Sequence, residues 1–478
     1  MALTGISHAM EGEDPVDHRY YIPFAENTFS GDWQFRLEVG PRSNTAYHVS
    51  ILGYDRDGDQ VVAFNPLTAY GPFHVFTWET APSMFDKRLQ SIVVVSDQEL
   101  DGVLWMWNDV LGVVNGVSIT NTLSDRLIMP HIPSNFFSWR SNFAVMGVSH
   151  NNLPGRVSFG YSNNRSFFED AGSWVLEPNA HLLRTPFYSI LLSDADTVTW
   201  GDVSVETPDF QIAGFQSFLK IINDDSGIDV QSAALELGQE PVSEGTFLLS
   251  QHENWTFTEM FAFTNPGLET VRIDYQLTYR EPGSEKISTA IQTESIGSMA
   301  RVNKIIGTSS LFPEIQGEYL ALRYRSYIGN PDDKVTAPIY ATHLQSGDNV
   351  ISLGAHAAVG NKGNAGSTWI TFDERFETLL DVSAFGEDAA TVDMVISDRN
   401  GQSMLVRQFK LAGGEKVSFL SGQLSTLIEE SLQLEGPPTG AFRIDFSGNG
   451  NFVTKSTLFR GDDFAVVNPP IWFAKPEF

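Results

Sequence analysis

The chain has 478 residues, and 59 acidic against 30 basic residues give it a formal net charge of −29. This charge repels phosphate backbones and anionic bilayers, which argues against nucleic-acid and membrane-surface binding. Cysteine is absent, which excludes disulfides, thiol nucleophiles and cysteine-ligated metal sites. The length exceeds what one hydrophobic core usually supports and predicts about three or four domains.

The N-terminal residues 1–19 are polar and acidic and predict an arm outside the folded core. They lack the basic and apolar regions of a signal peptide, and no apolar stretch reaches the about eighteen residues that a membrane span needs. We expect a secreted or cell-surface protein whose leader has been removed, and a cytoplasmic location stays open as the alternative.

An alternating strand led by an aromatic residue recurs four times. It spans Trp33–Val39, Trp139–Val145, Trp255–Phe261 and Phe376–Val382. The period of roughly 105 to 120 residues is too long for a solenoid and suits one small β-sandwich per repeat. Because the aromatic residue returns at the same place each time, we interpret it as a core anchor and not as a ligand-binding residue.

A second alternating strand follows each aromatic strand and ends at a polar turn. These strands span Thr45–Tyr54, Arg156–Tyr161, Val271–Tyr279 and Thr391–Ile396. The interval from the aromatic residue to the end of the second strand stays near 20 to 24 residues, which makes a chance similarity improbable. Late in the fourth repeat, Leu424–Glu430 predicts a short amphipathic helix opening at Ser425.

These patterns predict an all-β chain of four tandem immunoglobulin-like antiparallel β-sandwich modules with short linkers. We expect the N-terminal arm over 1–19 and modules over 20–127, 128–240, 241–366 and 367–478, the last with an apolar C-terminal tail. Two of the boundaries carry residues typical of linkers, namely Asn223–Gly227 together with Glu236–Glu244, and Gly360–Gly366.

The repeats resemble tandem β-sandwich repeats of bacterial secreted and cell-surface proteins. The features that carry the resemblance are the entry Ile128-Met-Pro-His131, the strands of Trp33 and Trp139, the turn from Tyr54-Asp55 to Gly58, and Asn265-Pro266-Gly267. The resemblance implies an extracellular, non-catalytic setting, and it supplies no catalytic residues.

Three aspartates alternate around a glycine in the turn after the second strand of module 1. Asp55, Asp57 and Asp59 resemble the start of a calcium loop, but the twelfth position, Pro66, is not the glutamate of an EF-hand. A hairpin turn is the favoured interpretation, since aspartate tolerates turn geometry. A weak calcium site at these residues stays open, and we expect no other cofactor.

No catalytic constellation emerges from the sequence. The ten histidines are dispersed, Gly-x-Ser-x-Gly is absent, and the spacing of carboxylates in an acidic chain identifies no pair. We therefore predict that the protein is not an enzyme.

The candidate binding residues are those that do not repeat between modules. Trp105 and Trp107 lie on one face of a late strand, where they either stack on sugar rings or, as we favour, pack between modules. The tail carries Ile471, Trp472 and Phe473, which should lie against their own module or another subunit.

The sequence predicts a structural protein without catalytic activity, assembling into or decorating a surface layer, fibre or larger complex. Its expected partners are copies of itself or other surface proteins. Carbohydrate binding through exposed aromatic residues is the first alternative, and a glycan-active enzyme is the second.

Overall fold

The structure is a computed structural model, and it describes residues 17–23, 33–41, 47–69, 74–77, 88–108, 113–132, 139–162, 167–184, 199–224, 227–238, 240–249, 258–307, 310–329, 335–347, 350–354, 363–372, 376–384, 388–398, 402–460, 465–466 and 472–473. Within these ranges the chain forms 33 strands and one helix. The all-β prediction is confirmed. No helix in the described ranges has the length and hydropathy needed to cross a bilayer.

The strands fall into four successive groups, here called units 1 to 4. Unit 1 consists of β1 (His18–Ile22), β2 (Trp33–Pro41), β3 (Tyr47–Tyr54), β4 (Gln60–Ala69), β5 (His74–Thr77), β6 (Ser91–Ser96), β7 (Leu100–Asn108) and β8 (Val113–Ser118). Unit 2 consists of β9 (Arg126–Met129), β10 (Trp139–Ser149), β11 (Gly155–Ser162), β12 (Phe167–Leu176), β13 (His181–Arg184), β14 (Trp200–Val205), β15 (Phe210–Asp224) and β16 (Gly227–Glu236).

Units 3 and 4 follow the same plan with small departures. Unit 3 consists of β17 (Glu244–Leu248), β18 (Thr258–Asn265), β19 (Val271–Arg280), β20 (Ile287–Ile296), β21 (Ala300–Ile305), β22 (Glu318–Ile328), the short β23 (Val335–Thr336), β24 (Tyr340–Gly347) and β25 (Val350–Gly354). Unit 4 consists of β26 (Gly363–Phe372), β27 (Phe376–Ala384), β28 (Ala390–Ser397), β29 (Ser403–Leu411), β30 (Lys416–Leu420), α1 (Ser421–Leu432) and β31 (Gly440–Arg460), followed by β32 (Ala465–Val466) and β33 (Trp472–Phe473).

Units 1 to 3 share one strand order in two antiparallel sheets. Numbering the strands by their place in the unit, and leaving β23 out, the first sheet has the order 1-6-3-4 and the second 5-2-7-8. An immunoglobulin domain pairs its first strand with its second. Here the first strand pairs with the sixth, and the second lies between the fifth and the seventh. The immunoglobulin-like part of the fold prediction is therefore wrong.

The recurring aromatic strand is the second strand of each unit. It begins at Trp33, Trp139 and Phe376 in three units, and at Thr258 in unit 3, three residues after Trp255. Each second strand buries an alternating apolar pair, namely Leu37 and Val39, Phe143 and Val145, Phe261 and Phe263, and Leu380 and Val382. The side chains of Trp33, Trp139, Trp255 and Phe376 lie outside the described part, so their anchoring role stays a prediction.

One hydrophobic core lies between the two sheets of each unit. In unit 1, Ile51 and Val94 of the first sheet belong to the same buried cluster as Leu37 and Leu104 of the second. Units 2, 3 and 4 have equivalent clusters. The second alternating strand that the sequence predicts is the third strand of each unit. Its buried residues alternate with partly exposed ones, so one face of the strand packs in this core.

Unit 4 replaces its sixth and seventh strands with the single long strand β31. The first half of β31 pairs with β26 and β28, and its second half pairs with β27 of the other sheet. The strand changes sheets near Gly450, whose φ of +89° favours glycine. The predicted helix of unit 4 is α1, which begins at Ser421, four residues before the predicted start.

The four units close into a ring. Strands β8, β16 and β25, the last strands of units 1 to 3, lie side by side in that order. The short β32 pairs in parallel with β25 and also contacts β8, which completes the circuit. On the side of unit 4, the guanidinium of Arg443 donates to the carbonyl of Pro41 in unit 1 over 3.4 Å.

Two pieces of the predicted linkers lie within units, whereas Glu236–Glu244 lies between the end of β16 and the start of β17. Asn223–Gly227 connects β15 to β16 in a hairpin, since the pairing of the two strands runs up to Asp224 and Gly227. Residues 363–366 belong to β26. Polar and glycine-rich composition is common to linkers and to hairpin turns, and for this reason composition alone misassigned them.

Candidate functional site: the joints between units

Adjacent units contact each other at joints, and each joint is named by the two units that it joins. The same kind of turn forms the contact at three joints, 1–2, 2–3 and 3–4. The turn before the fifth strand of the later unit touches the earlier unit. Its backbone takes the left-handed conformation at Asn179 (φ 62°), Met299 (φ 51°) and Gly414 (φ 73°). The residue two positions later is basic in each unit and pairs across the sheet with the second strand. His181 pairs with Met146, Arg301 with Thr264, and Lys416 with Ser383.

The left-handed residue presents its carbonyl to the earlier unit. At the 2–3 joint, the Met299 carbonyl accepts hydrogen bonds from the Trp200 indole at 3.0 Å and the Ser162 hydroxyl at 2.8 Å. At the 1–2 joint, the Asn179 carbonyl accepts from the Ser91 hydroxyl at 3.4 Å. A non-glycine residue held at positive φ costs about 1–3 kcal/mol, so these contacts offset backbone strain.

The 2–3 joint is centred on Arg301. Its guanidinium donates to the carbonyl oxygens of Ile132 at 2.6 Å and Thr199 at 2.5 Å, both in unit 2. It also lies 3.0 Å from Nδ1 of His131. All three acceptors face one nitrogen, Nη1, which has two N–H groups, so His131 Nδ1 shares an N–H with a carbonyl. Because a guanidinium only donates, Nδ1 is the accepting nitrogen, and a neutral His131 carries its proton on Nε2.

Burial changes the acid–base properties of this pair. It lowers the pKa of Arg301 to about 9. Burial also lowers the pKa of His131 well below its ordinary value of 6.5, and the charge of Arg301 lowers it further. His131 is therefore neutral in the folded protein at neutral pH, as its acceptor role requires.

Two buried lysines close the 3–4 joint. Lys416 Nζ donates to the carbonyl of Leu249 at 2.5 Å, and Lys455 Nζ donates to the carbonyl of Leu248 at 3.3 Å. Asp381 is fully buried behind them, 3.9 Å from Lys416 Nζ, and accepts a hydrogen bond from the Ser418 hydroxyl at 2.5 Å. Burial lowers the pKa of Lys455, and Glu259 and Asp381 oppose that shift.

Unit 3 contributes a buried histidine–carboxylate pair to the same region. His343 Nε2 lies 2.5 Å from a carboxylate oxygen of Glu259, and the imidazole stacks on Phe261 with ring centroids 4.6 Å apart. Burial lowers the pKa of His343, while the charge of Glu259 and its hydrogen bond oppose the shift. Two carboxylates, Glu259 and Asp381, thus balance two lysines across the joint.

These ionisable groups lack the access that acid–base catalysis needs. Glu259 is 2% exposed and Asp381 is 0% exposed. A general acid or base must come within about 3 Å of a substrate proton, directly or through one water. The arrangement instead satisfies backbone carbonyls and balances charge between units, which is the chemistry of a structural joint.

A cleft of about 370 Å³ lies at the 3–4 joint between the outer face of the first sheet of unit 3 and unit 4. The unit 3 side consists of Thr246, Leu248, Gln276, Thr278, Ile287, Ser288, Thr289, Ala321 and Arg323. The unit 4 side consists of Ser383, Ala384, Gly413, Gly414 and Val453. Glu259 and Asp381 are not among its lining residues.

The predicted calcium residues form a hairpin turn at the 1–2 joint. The Asp55 carboxylate accepts the backbone N–H groups of Asp57 and Asp59, each at 3.0 Å. The carbonyl of Arg56 accepts the backbone N–H of His181 in unit 2. Among the described residues no group of three His, Asp or Glu side chains could hold a metal ion. Calcium binding there stays a prediction.

The structure places the predicted aromatic residues away from a stacking surface wherever it describes them. Trp105 lies on β7 and is 5% exposed, so it offers no open face for stacking, and its packing between modules stays a prediction. The side chains of Trp107, Ile471, Trp472 and Phe473 lie outside the described part. The backbone of Trp472 and Phe473 pairs with Ser367 and Gly366, which places this piece of the tail on its own unit.

The sequence interpretation missed the joint residues. A usable signal existed, because His181, Arg301 and Lys416 recur at intervals of about 115 to 120 residues in a chain poor in basic residues. Glu259, Asp381 and Lys455 gave no such signal, since single polar residues inside apolar strands are common.

Comparison with known proteins gives no family. No family model matches the sequence, and no curated protein matches it. One similar solved structure is a glycoside hydrolase of family 32 from Bifidobacterium adolescentis, at 9% identity over 94% of this chain and 99% of that chain. Its TM-score is 0.16, which is too low to carry an argument about fold or function.

The buried histidines predict that acid weakens the joints. In the folded chain the pKa values of His131 and His343 are lowered, so the unfolded chain binds more protons below about pH 6.5. Stability is therefore complete above that pH and is lost as the pH falls below it, by up to about 1.4 kcal/mol per pH unit for each histidine. Urea unfolding between about pH 7.5 and 5 measures the slope.

Non-titrating substitutions identify the source of this slope. His131→Asn keeps an acceptor for Arg301, and His343→Gln keeps a partner for Glu259, so each should lower the slope by up to about 1.4 kcal/mol per pH unit. His150→Gln is the control, because His150 is exposed. A slope that neither joint substitution reduces would contradict the assignment.

Proposed function

We propose that the chain is a non-catalytic structural protein whose four units are β-sandwich domains, locked into a ring that associates with other copies of itself. The proposal keeps the four modules that the sequence predicts. A secreted or cell-surface location and a resemblance to bacterial surface repeats remain part of this proposal.

The observation that carries the proposal is a repeated exposed edge. The fourth strand ends the first sheet of every unit, and in units 2, 3 and 4 it exposes a large aliphatic residue. Val175 on β12 is 66% exposed, Ile291 on β20 is 70% exposed and Val406 on β29 is 66% exposed. Soluble proteins commonly protect such edges with charges or prolines, because an unpaired edge can pair with another chain.

Strand β20 has the least protected of these edges. It is ten residues long, contains no proline, and carries one charged residue, Glu294, which pairs with Lys304 of unit 3 at 2.5 Å. A strand pairing antiparallel with its own copy forms a self-complementary, two-fold contact. Because each copy has three such edges, association through them extends beyond a dimer, as a layer or fibre requires.

The test is the mass of the chain in solution. The net charge of −29 opposes association, so self-association should increase from low salt to about 1 M NaCl, where the Debye length falls to about 3 Å. Sedimentation velocity and negative-stain imaging at both salt concentrations measure it. The triple variant Val175→Lys, Ile291→Lys, Val406→Lys should remain a single chain.

The control places a lysine on an exposed residue outside the fourth strands. Leu268 is 83% exposed in the turn after β18, and Leu268→Lys should associate as the unsubstituted chain does. The proposal fails if the unsubstituted chain stays a single chain at high salt and high concentration. It also fails if the triple variant still assembles.

A further inference from the structure

The floor of the cleft at the 3–4 joint is an ordered polar surface. Thr246, Arg323 and Gln276 are direct cross-strand neighbours on three adjacent strands, so their side chains form one row. The next row contains Leu248, Ala321, Thr278 and Thr289, again in direct register. Polar groups and apolar carbons therefore alternate over a few ångströms.

One hydroxyl in this surface lacks a partner. Thr246 is 6% exposed, and its Oγ1 is buried without a hydrogen bond to any described residue. Leaving a buried hydroxyl unpaired is unfavourable, and few native groups do so without a reason. Thr246 is one of the lining residues, and its Oγ1 is closed off from the cleft in this conformation. A rotation about χ1 would turn the hydroxyl into the cleft, where a bound molecule would supply the missing hydrogen bond.

The charges around the cleft favour a neutral ligand. Arg323 is the one charged residue among those that line the cleft, and its guanidinium donates to the Glu244 carboxylate at 2.8 Å. An anion would compete with Glu244, and a cation would find no carboxylate among the lining residues that the structure describes. Five hydroxyl residues and one amide remain. The Ser288 hydroxyl already donates to Glu281 and the Ser383 hydroxyl to the Glu415 carbonyl, so these two can accept from a ligand, while the threonines and Gln276 can both donate and accept.

We propose that this cleft binds a neutral, polyhydroxylated molecule the size of a mono- or disaccharide. Sugars offer the same mixture of donors and acceptors as the lining hydroxyls, and their C–H faces can contact Leu248, Ile287, Ala384 and Val453. The volume of about 370 Å³ lies at the lower end of the usual range for small-molecule sites. This site is distinct from the aromatic stacking that the sequence suggested, since its lining within the described part of the chain contains no aromatic residue.

The experiment uses the full chain and a defined panel of glucose, galactose, mannose, maltose, cellobiose and lactose, with saturation-transfer NMR and calorimetry as readouts. Thr246→Val removes the unpaired hydroxyl while keeping the side-chain shape, and should weaken binding about tenfold. Thr289→Trp places an indole on an exposed lining position and should abolish binding. Ser295→Trp is the matched control, because Ser295 is exposed on the same strand outside the cleft.

The expected result is a panel sugar that binds the unsubstituted chain and Ser295→Trp equally, binds Thr246→Val more weakly and does not bind Thr289→Trp. The proposal is overturned if no panel sugar binds, or if either cleft substitution leaves binding unchanged. Binding of inorganic phosphate or citrate in place of sugars would also overturn it. Ile287, Ser288 and Thr289 lie on β20, the fourth strand of unit 3. Binding is therefore measured at low salt, where the chain should stay single, and again on the triple lysine variant, so that self-association and sugar binding are distinguished.

Discussion

Replacing Arg301 with methionine should lower the free energy of unfolding by about 2–4 kcal/mol, because buried acceptors left without donors cost about 1–3 kcal/mol each. The guanidinium donates to the carbonyl groups of Ile132 and Thr199 and lies against the imidazole of His131. The Thr199 carbonyl keeps the backbone N–H of Ile132 as a donor, so the substitution takes the side-chain donor from the Ile132 carbonyl and from His131 Nδ1. Methionine fills a similar volume, so the loss reports on hydrogen bonding and not on a cavity. Equilibrium urea unfolding of the full chain measures it.

The same substitution should loosen the 2–3 joint before the rest of the ring. Hydrogen exchange should accelerate in β14 and β21, which meet at this joint, and should change little in unit 4. Arg156→Met is the control, because Arg156 is about half exposed and its ion pair with Glu206 spans 3.8 Å. A surface pair of this kind contributes about 0–1 kcal/mol. Equal losses for the two variants would show that Arg301 does not hold the joint.

The strands of this fold could be predicted from the sequence, and their neighbours could not. Alternation in β3, β19 and β28 reports that one face of each strand is buried, which is enough to identify a strand and its end. It does not report which strand lies beside it. The order 1-6-3-4 and 5-2-7-8 depends on contacts between strands far apart in sequence, and the immunoglobulin-like prediction failed for that reason.

The joints show the same limit for side chains. Asp381 occupies a strand position between Leu380 and Val382, where a sequence pattern predicts an outward-facing polar residue. The residue does leave the core of its own unit, but the neighbouring unit covers it, and it is fully buried. Whether an outward-facing side chain contacts water or another unit depends on how the units are arranged in the ring. The sequence of a single repeat does not contain that information. Trp105 was assigned to a face of its strand on the same grounds, and it too is covered.

The cleft could not be predicted from the sequence, for a related reason. Thr246, Gln276, Thr278 and Arg323 stand at outward positions of strands separated by tens of residues. Each of them alone is ordinary for the solvent face of a sheet. Only the approach of unit 4 converts that face into an enclosed surface. The residues that distinguish this chain from a simple array of repeats are therefore those at which two units meet.

Replacing Asp381 with asparagine should cost about 3–5 kcal/mol, the usual cost of removing one partner from a buried set of charges. Asparagine keeps the side-chain shape and an acceptor for the Ser418 hydroxyl. It removes one of the two carboxylates at the joint, so Glu259 is left to balance the charges of Lys416 and Lys455. Urea unfolding should show the loss, and hydrogen exchange should accelerate in β27 and β30. Asp388→Asn, at an exposed residue of the same unit, should change stability by less than about 0.5 kcal/mol.

The double variant Asp381→Asn, Lys416→Met separates a charge effect from a packing effect. Removing both partners restores the charge balance, with Lys455 left against Glu259, so the double variant should lose less stability than the sum of the two single variants. The expected coupling is about 1–3 kcal/mol, because the two groups belong to one buried network. Additive losses would mean that Asp381 and Lys416 do not interact, and the 3–4 joint would then depend on the hydrogen bonds to Leu248 and Leu249 and on packing.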